Sequence, residues 1–351
     1  MGPMRLTVRF ARRNVAATPG RDGMTLAVSG GKGWSAMADR QAERIAEFIR
    51  PLRVDPGSKV VIDKDFDPRY VAGLKKSAGV ELLRTGVSLL ADYQSRLAAQ
   101  GTHGVLFCVQ ALDAGGKDGT IRHVMSGVNP QGVRVSSFKV PSVEELDHDY
   151  LWRYARGLPA RGEIAIFNRS HYEEVLVVRV HPEVLARQKL PGRPRGTKLW
   201  ARRYREINHW ERYLTHNGFK VVKILLNISK EEQRARFLKR IDRPEKNWKF
   251  SAADIRERRR WDDYQQAFSE MLSATSTDWA PWYVVPADRK WFARICAAAV
   301  LVDALSDIDP QYPTVDDQAA RDLLTARREL EAEGTEPAPP APHTAARRPK
   351  T

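Results

Sequence analysis

A three-layer α/β/α sandwich around a five-stranded parallel sheet is the fold class that this sequence predicts, on three observations. Between Ala78 and Asp307, short apolar runs alternate with amphipathic stretches, the pattern of strands buried on both faces and of the helices that cover them. The first apolar run feeds straight into a glycine-rich turn that ends in lysine. The third run releases a cluster of polar side chains at its carboxyl end, the edge where open α/β sheets place ligands.

The elements follow in order. Residues 1–77 read as an N-terminal extension with one helix, Arg40 to Arg50, and a polar, turn-rich arm containing Asp55-Pro-Gly and Asp65-Phe-Asp-Pro. Its first thirty-six residues are basic and lack the continuous apolar core of a secretory signal, so they are expected to stay unstructured, and a start near Met37 would explain them equally well. Ser29-Gly-Gly-Lys-Gly33 imitates a phosphate loop, but no strand leads into it, and it reads as a decoy. Within the domain at 78–307, strands are expected at Gly104 to Gln110, Val133 to Phe138, Glu163 to Phe167, Lys220 to Ile228 and Trp282 to Pro286. Early helices are expected at Gly86 to Ala99, Thr120 to Gly127, Val143 to Arg156 and Trp200 to His216. Later ones run over Lys230 to Arg240, Ala252 to Leu272 and Arg289 to Ser306, with Ser229 and Ser251 as N-caps. Residues 308–351 read as a tail, Ala/Pro/Glu-rich and then basic from Glu331 on and expected to be largely disordered at its end.

Composition narrows the partners. A chain of 351 residues with 42% hydrophobic content can bury a full core, and its formal net charge of +15 favours polyanions such as nucleic acid, anionic lipid or phosphate polymers. Two cysteines, Cys108 and Cys296, exclude a disulfide framework and point to a reducing, cytoplasmic setting. No zinc pattern is present, and no apolar stretch approaches the length of a membrane span.

The stretch Val105 to Thr120 carries the chemistry. A strand, the turn Asp113-Ala-Gly-Gly-Lys117 and a helix start together form a phosphate-binding loop, in which backbone N–H groups and the positive helix end meet phosphoryl oxygens. Gly115, Gly116, Gly119 and Thr120 belong to this segment, Arg122 follows it as a further candidate for binding phosphate, and Lys117 adds a point charge. The pattern departs from G-x-x-x-x-G-K-S/T in having Ala111 at the first glycine and Asp118 at the hydroxyl residue. Asp113 and Asp118 then offer two hard oxygen groups for Mg²⁺. The bland alternative is an ordinary strand-to-helix turn.

Across the same crevice, the segment Ile166-Phe-Asn-Arg-Ser-His-Tyr-Glu-Glu174 places Arg169 to hold a transferring or acceptor phosphate by a bidentate fork, or else to form a structural ion pair. Asn168 occupies the place of a magnesium-organising aspartate, while His171 and Tyr172 read as structural. A basic helix follows, in which Lys198, Arg202 and Arg205 share a face opposite Trp200, Tyr204 and Ile207, either contacting ligand or simply solvated. The stretch from Arg236 to Trp261, about 233–262 with its flanks, reads as a basic lid that closes over phosphates, or as a solvated charge run.

Four separated motifs, Asp113-Ala-Gly-Gly-Lys-Asp-Gly-Thr-Ile121, Phe167-Asn-Arg-Ser-His-Tyr-Glu173, Trp248-Lys-Phe and Ala280-Pro-Trp-Tyr283, together resemble the polyphosphate kinase 2 family over about Ala78 to Leu305. The resemblance implies a phosphate-loop kinase fold related to thymidylate kinase, with a helical lid. It also implies Mg²⁺-dependent phosphoryl transfer between inorganic polyphosphate and the nucleotides AMP, ADP and ATP, and assembly into dimers or tetramers. On this chain Lys117 and its loop resemble the Walker A phosphate binder, Asp113 the catalytic metal-organising aspartate and Arg169 the arginine of the Walker B segment. Arg240, Lys246 and Lys249 would help hold polyphosphate. Asn168, His171 and Glu173 resemble the subgroup that phosphorylates both AMP and ADP, which makes Asn168 and Glu173 the acceptor residues. Two other readings stand beside this one: an ATP-dependent nucleotide kinase, and a non-enzymatic nucleic-acid-binding protein. The second explains the charge but not carboxylates set inside a phosphate loop.

Overall fold

The computed structural model describes residues 42–191, 196–248 and 250–333. The expectations for Ser29 to Gly33, for a start near Met37 and for the end of the tail lie outside these residues. Two compact units are present, one reaching Gln311 and one beginning at Tyr312.

The first unit opens with helix α1 (42–49), which tightens into a 3₁₀ turn at Arg50–Leu52. It continues through α2 (Ile62–Asp65), α3 (Lys76–Gln100), β1 (Gly104–Ala111), α4 (Lys117–Val124) and β2 (Val133–Ser137). Then come α5 (Val143–Asp147), α6 (Trp152–Ala155), β3 (Ile164–Asn168), a 3₁₀ turn at His171–Glu174, α7 (Val177–Val180), α8 (Pro182–Ala186) and α9 (Thr197–His216). The unit closes with β4 (Phe219–Asn227), α10 (Lys230–Ile241), α11 (Pro244–Asn247), α12 (Ala252–Arg259), α13 (Trp261–Thr275), β5 (Trp282–Pro286) and α14 (Lys290–Ile308).

All five strands pair in parallel in the order β2-β3-β1-β4-β5. Strand β1 is central, and all eight of its residues are buried, because helices cover both faces of the sheet. Val105, Phe107 and Val109 pack with Leu90 and Leu97 of α3 and with Phe292 and Leu301 of α14. On the opposite face Leu106 and Cys108 meet Tyr154 and Leu214. The neighbouring cluster on β4 and β5 joins Leu225 and Val284 to Ile207 of α9 and to Phe268 and Met271 of α13. The three expected layers are present.

Several boundaries differ from the sequence reading, each for a physical reason. Helix α3 starts at Lys76 rather than Gly86, because its glycines serve packing and do not break it: a Cβ on Gly79 would stand 2.4 Å from Cε3 of Trp291 in α14. The single helix expected over Val143 to Arg156 is divided. Ser142 and Glu145 form a capping box that starts α5, and Asp149 accepts from the Leu151 N–H, a local turn that competes with helix continuation. The helix expected over Ala252 to Leu272 is also divided, at Arg260. Ser229 and Ser251 do cap α10 and α12.

The arm is more firmly built into the core than its polar sequence suggested. Val54 N–H donates to the Trp282 carbonyl at 2.9 Å, while Ser273 and Ser269 of α13 accept from the N–H groups of Val60 and Ile62. Leu52, Val54, Val60 and Ile62 are all buried. In the second unit α15 (Asp317–Glu333) forms a helix with no buried residue, where the sequence reading gave only a tail.

On α14, burial first and then the neighbouring Asp307 push the Asp303 carboxyl up to about 6, against the pull of Lys220 and Arg53. An unfolded aspartate loses its proton near 4, so this group's contribution to stability falls as pH rises from about 4 to 6 and stays lost above that. Asp303→Asn is therefore expected to raise the melting temperature at pH 8 and to leave it unchanged at pH 4, in calorimetric scans of both proteins.

Candidate functional site

The site lies at the carboxyl edge of β1 and β3. Beyond Ala111 the chain turns tightly: Gly115 N–H donates to the Leu112 carbonyl at 3.0 Å, Ala114 takes φ +62° and Gly116 φ +106°. Gly115 admits no side chain, since a Cβ there would fall 2.7 Å from Cβ of Ala111 and 2.8 Å from the Leu112 oxygen. The turn delivers the chain into α4 with Lys117 as its first residue.

Lys117 is buried, and its ammonium folds back onto the loop, donating to the carbonyls of Ala111 at 2.7 Å and Leu112 at 3.4 Å. Burial and then Arg169 lower its pKa to about 8, while Asp113, Glu173 and Asp118 pull the other way. The loop thus holds a partly desolvated cation among its own carbonyls.

Arg169 follows the last residue of β3 and has a left-handed backbone, φ +63°. Its guanidinium bridges the crevice, donating to Asp113 Oδ1 at 2.6 Å and Glu173 Oε2 at 3.2 Å. Glu173 foremost, with Asp113, holds it above the ordinary arginine range despite burial. Asn168 Nδ2 donates to Asp118 Oδ1 at 2.9 Å, a second tie between the same two strand ends. The expected group of Asp113, Lys117, Asp118, Asn168, Arg169 and Glu173 is therefore brought together, with Gly115, Gly116, Gly119 and Thr120 in the loop and the first turn of α4.

Other expected residues stand outside this group, some of them beyond the crevice and Arg240 beside its lining residue Asp254. Arg202, on the solvent side of α9, pairs with Glu206 at 3.4 Å outside the crevice, because the helical phase turns its neighbour Arg203 inward onto Glu174. Arg122, in the last turn of α4, is exposed, and its charge bears on Arg294 of α14. Arg240 stands 3.8 Å from Asp254, and Lys246 is exposed on α11. Lys249 is outside the described residues.

Two residues of the stretch expected to form a lid, Gln233 and Arg236, are bound instead to the backbone of the loop. Gln233 Nε2 donates to the Asp113 carbonyl at 2.9 Å, and Arg236 Nη1 donates to the carbonyls of Ala114 at 3.0 Å and Gly115 at 2.8 Å. Arg236 also reaches the carbonyl of Ala287 after β5. Arg258 of α12 ties Gln233 in turn, at 2.8 Å. The resulting crevice is lined by Asp113, Arg169 and Glu173 together with Asp254, Glu257 and Arg258, and by the rings of Trp261, Tyr264 and Phe268.

The donor set suits a hard divalent cation. Asp113 and Asp118 offer carboxylates on either side of Lys117, and among the described residues no group of three or more His, Cys, Asp or Glu is placed to hold a metal. Such a site would complete its shell with phosphate oxygens and water, as magnesium sites commonly do.

Comparison with known proteins bears on this geometry. The family model for polyphosphate kinase 2 matches residues 73–313. The chain is 50% identical over 285 residues to an ADP-polyphosphate phosphotransferase of Rhodopseudomonas palustris, covering 80% of this chain and 98% of that one. It is 45% identical over 267 residues to an AMP/ADP-polyphosphate phosphotransferase of Meiothermus ruber, covering 76% and 96%. The crystal structure of polyphosphate kinase 2 from Arthrobacter aurescens TC1 superposes with a TM-score of 0.72 at 39% identity, covering 82% of this chain and 96% of that one.

Replacing Arg236 by Met would leave the carbonyls of Ala114, Gly115 and Ala287 without their donor. The unfolding free energy in urea is expected to fall by about 2–3 kcal/mol, the scale of lost charged hydrogen bonds. Arg243→Met, which removes an exposed pair with Glu245 at 4.0 Å, should change it by little.

Proposed function

The chain belongs to the polyphosphate kinase 2 family, and from that premise we propose that it moves phosphoryl groups from inorganic polyphosphate to AMP and ADP with Mg²⁺, forming ADP and ATP. The observation that carries this reading is Arg169, set between the loop carboxylate Asp113 and the acceptor-side carboxylate Glu173. One cation at the junction of two strand ends suits a reaction in which phosphates approach from both sides.

The chain's own groups supply the positioning and neutralisation on which phosphoryl transfer chiefly depends. Loop N–H groups and the start of α4 receive the terminal phosphate of the donor. Lys117 exchanges its carbonyl partners for phosphate oxygens, and the anion favours its charged form. Arg169 orients the attacking acceptor oxygen and the transferring group; the P–O bond to the remaining chain breaks as the new one forms. Magnesium, held by Asp113 and Asp118 with the phosphates, would offset charge on the donor oxygens. Arg240 and Lys246 of the lid would face the polymer and exclude water.

The acceptor range rests on Asn168 and Glu173. Relatives of similar identity carry the names of an ADP-using and an AMP/ADP-using enzyme, so overall likeness does not select between them. The carboxylate of Glu173 on Arg169 supports use of both. Two buried free thiols, Cys108 and Cys296, accord with a cytoplasmic setting, and assembly into dimers or tetramers belongs to the same reading.

Purified protein given Mg²⁺, polyphosphate and AMP, without ATP, should form both ADP and ATP on chromatography. Formation only when ATP is supplied would instead identify an ATP-dependent nucleotide kinase. Lys117→Met and Asp113→Asn should each lower turnover by about 10²-fold or more while circular dichroism stays unchanged. Glu173→Asn should shift the ratio of AMP to ADP use; an unaltered ratio would remove Glu173 from acceptor selection.

A further inference from the structure

His171 and Tyr172, just after Arg169, take no part in the transfer, yet both are tied to a buried ion pair of the core. His171 and Tyr172 are fully buried, as are Glu211 of α9 and Lys223 of β4. His171 Nε2 lies 3.1 Å from Glu211 Oε1, and the Tyr172 hydroxyl donates to the same oxygen at 2.8 Å. Lys223 donates to Tyr172 Oη at 2.8 Å, to Glu211 Oε2 at 2.7 Å and to the Thr275 carbonyl at 2.7 Å.

A buried ion pair is weak grounds for stability, because well-packed apolar residues in its place are often no worse. Backbone geometry supplies a better reason. A left-handed residue with a side chain costs about 1–2 kcal/mol and persists only where its surroundings fix it. Arg169 is such a residue. Two positions later the chain is anchored by two consecutive side chains, and immediately beyond them Glu173 returns to meet Arg169 at 3.2 Å.

We propose that the Glu211–Lys223 pair is a positioning device for the acceptor side of the site: by locking His171 and Tyr172 it sets where Arg169 and Glu173 stand. This rests on the reading of Glu173 as an acceptor residue and of Arg169 as the group that orients the acceptor oxygen. Glu211 and Lys223 touch no substrate; they act through the turn at His171–Glu174.

Two variants test it. Tyr172→Phe removes one hydroxyl and keeps the ring, and the double variant Glu211→Gln/Lys223→Met removes both charges together, leaving neither unpaired. Both are expected to fold, with KM for AMP and ADP raised about tenfold, the scale of one charge-assisted hydrogen bond, the AMP/ADP ratio of kcat shifted, and KM for polyphosphate unchanged. Hydrogen exchange should quicken in residues 168–176 and not in residues 112–120. Unchanged acceptor constants in a folded variant, or donor and acceptor constants that worsen together, would overturn the proposal and leave the pair a purely structural one. If the unaltered protein uses no polyphosphate, the functional reading fails by itself, and exchange at 168–176 still decides: unaltered protection in folded Tyr172→Phe overturns the locking role. Should the double variant not fold, the acceptor constants and exchange of Tyr172→Phe decide between the same two outcomes.

Discussion

The ion pairs of Arg169 with Asp113 and Glu173 are the interaction on which the rest of the site depends. They join the loop after β1 to the turn after β3, and they set the charge that an incoming phosphate meets. With its two carboxylates the arginine makes a triad that carries one excess negative charge, which Lys117 nearby, occupied by carbonyls, offsets. A phosphate entering this crevice finds cations already gathered and desolvated, with partners that can be exchanged. Much of the cost of collecting like charges is met during folding, which is the sense in which a site is preorganised.

The loop's orientation depends on a longer reach. Arg236 takes the carbonyls of Ala114 and Gly115, and because a peptide unit is planar and trans, the Gly116 N–H points to the side opposite the Gly115 carbonyl. An arginine on the lid helix α10 thereby helps aim a backbone donor of the loop. Gln233, one turn earlier, holds the Asp113 carbonyl. The start of α10 is thus joined to the glycine-rich turn, and Arg258 of α12 is tied to α10 in turn through Lys230 and Gln233.

Local patterns made the strands, the glycine-rich turn, Arg169 and the caps Ser229 and Ser251 legible in the sequence. Each is a feature of a few consecutive residues. What escaped depends on distant partners. The sequence began the helix only at Gly86, and nothing local showed that Gly79 packs inside it against Trp291. Arg236 looked like one more lid cation, yet its partners lie some 120 positions away. Arg202 is solvated on the basic face of α9 that the sequence outlined, whereas Arg203, which that reading gave no place, is turned inward onto Glu174. Lys223 did leave a trace: a lysine in the middle of an apolar central strand calls for a buried counter-charge, and Glu211, among the apolar positions of α9, supplies it.

Stiffness at the site follows from the sheet itself. Val109 pairs with Asn168, the last residue of β3, while β1 runs on to Ala111, so the loop after β1 and the turn after β3 leave adjacent strands at neighbouring levels. Neighbouring strands lie about 4.8 Å apart, and backbone hydrogen bonds along their whole length hold that spacing. Donor and acceptor phosphates bound at these two strand ends would meet without a further search, and most of the entropy of bringing them together is lost when the ladder forms. Side chains then decide only the last ångström. On that scale Arg169, with its fixed fork and an anchored turn behind it, has more authority than the many exposed cations that give the chain its charge.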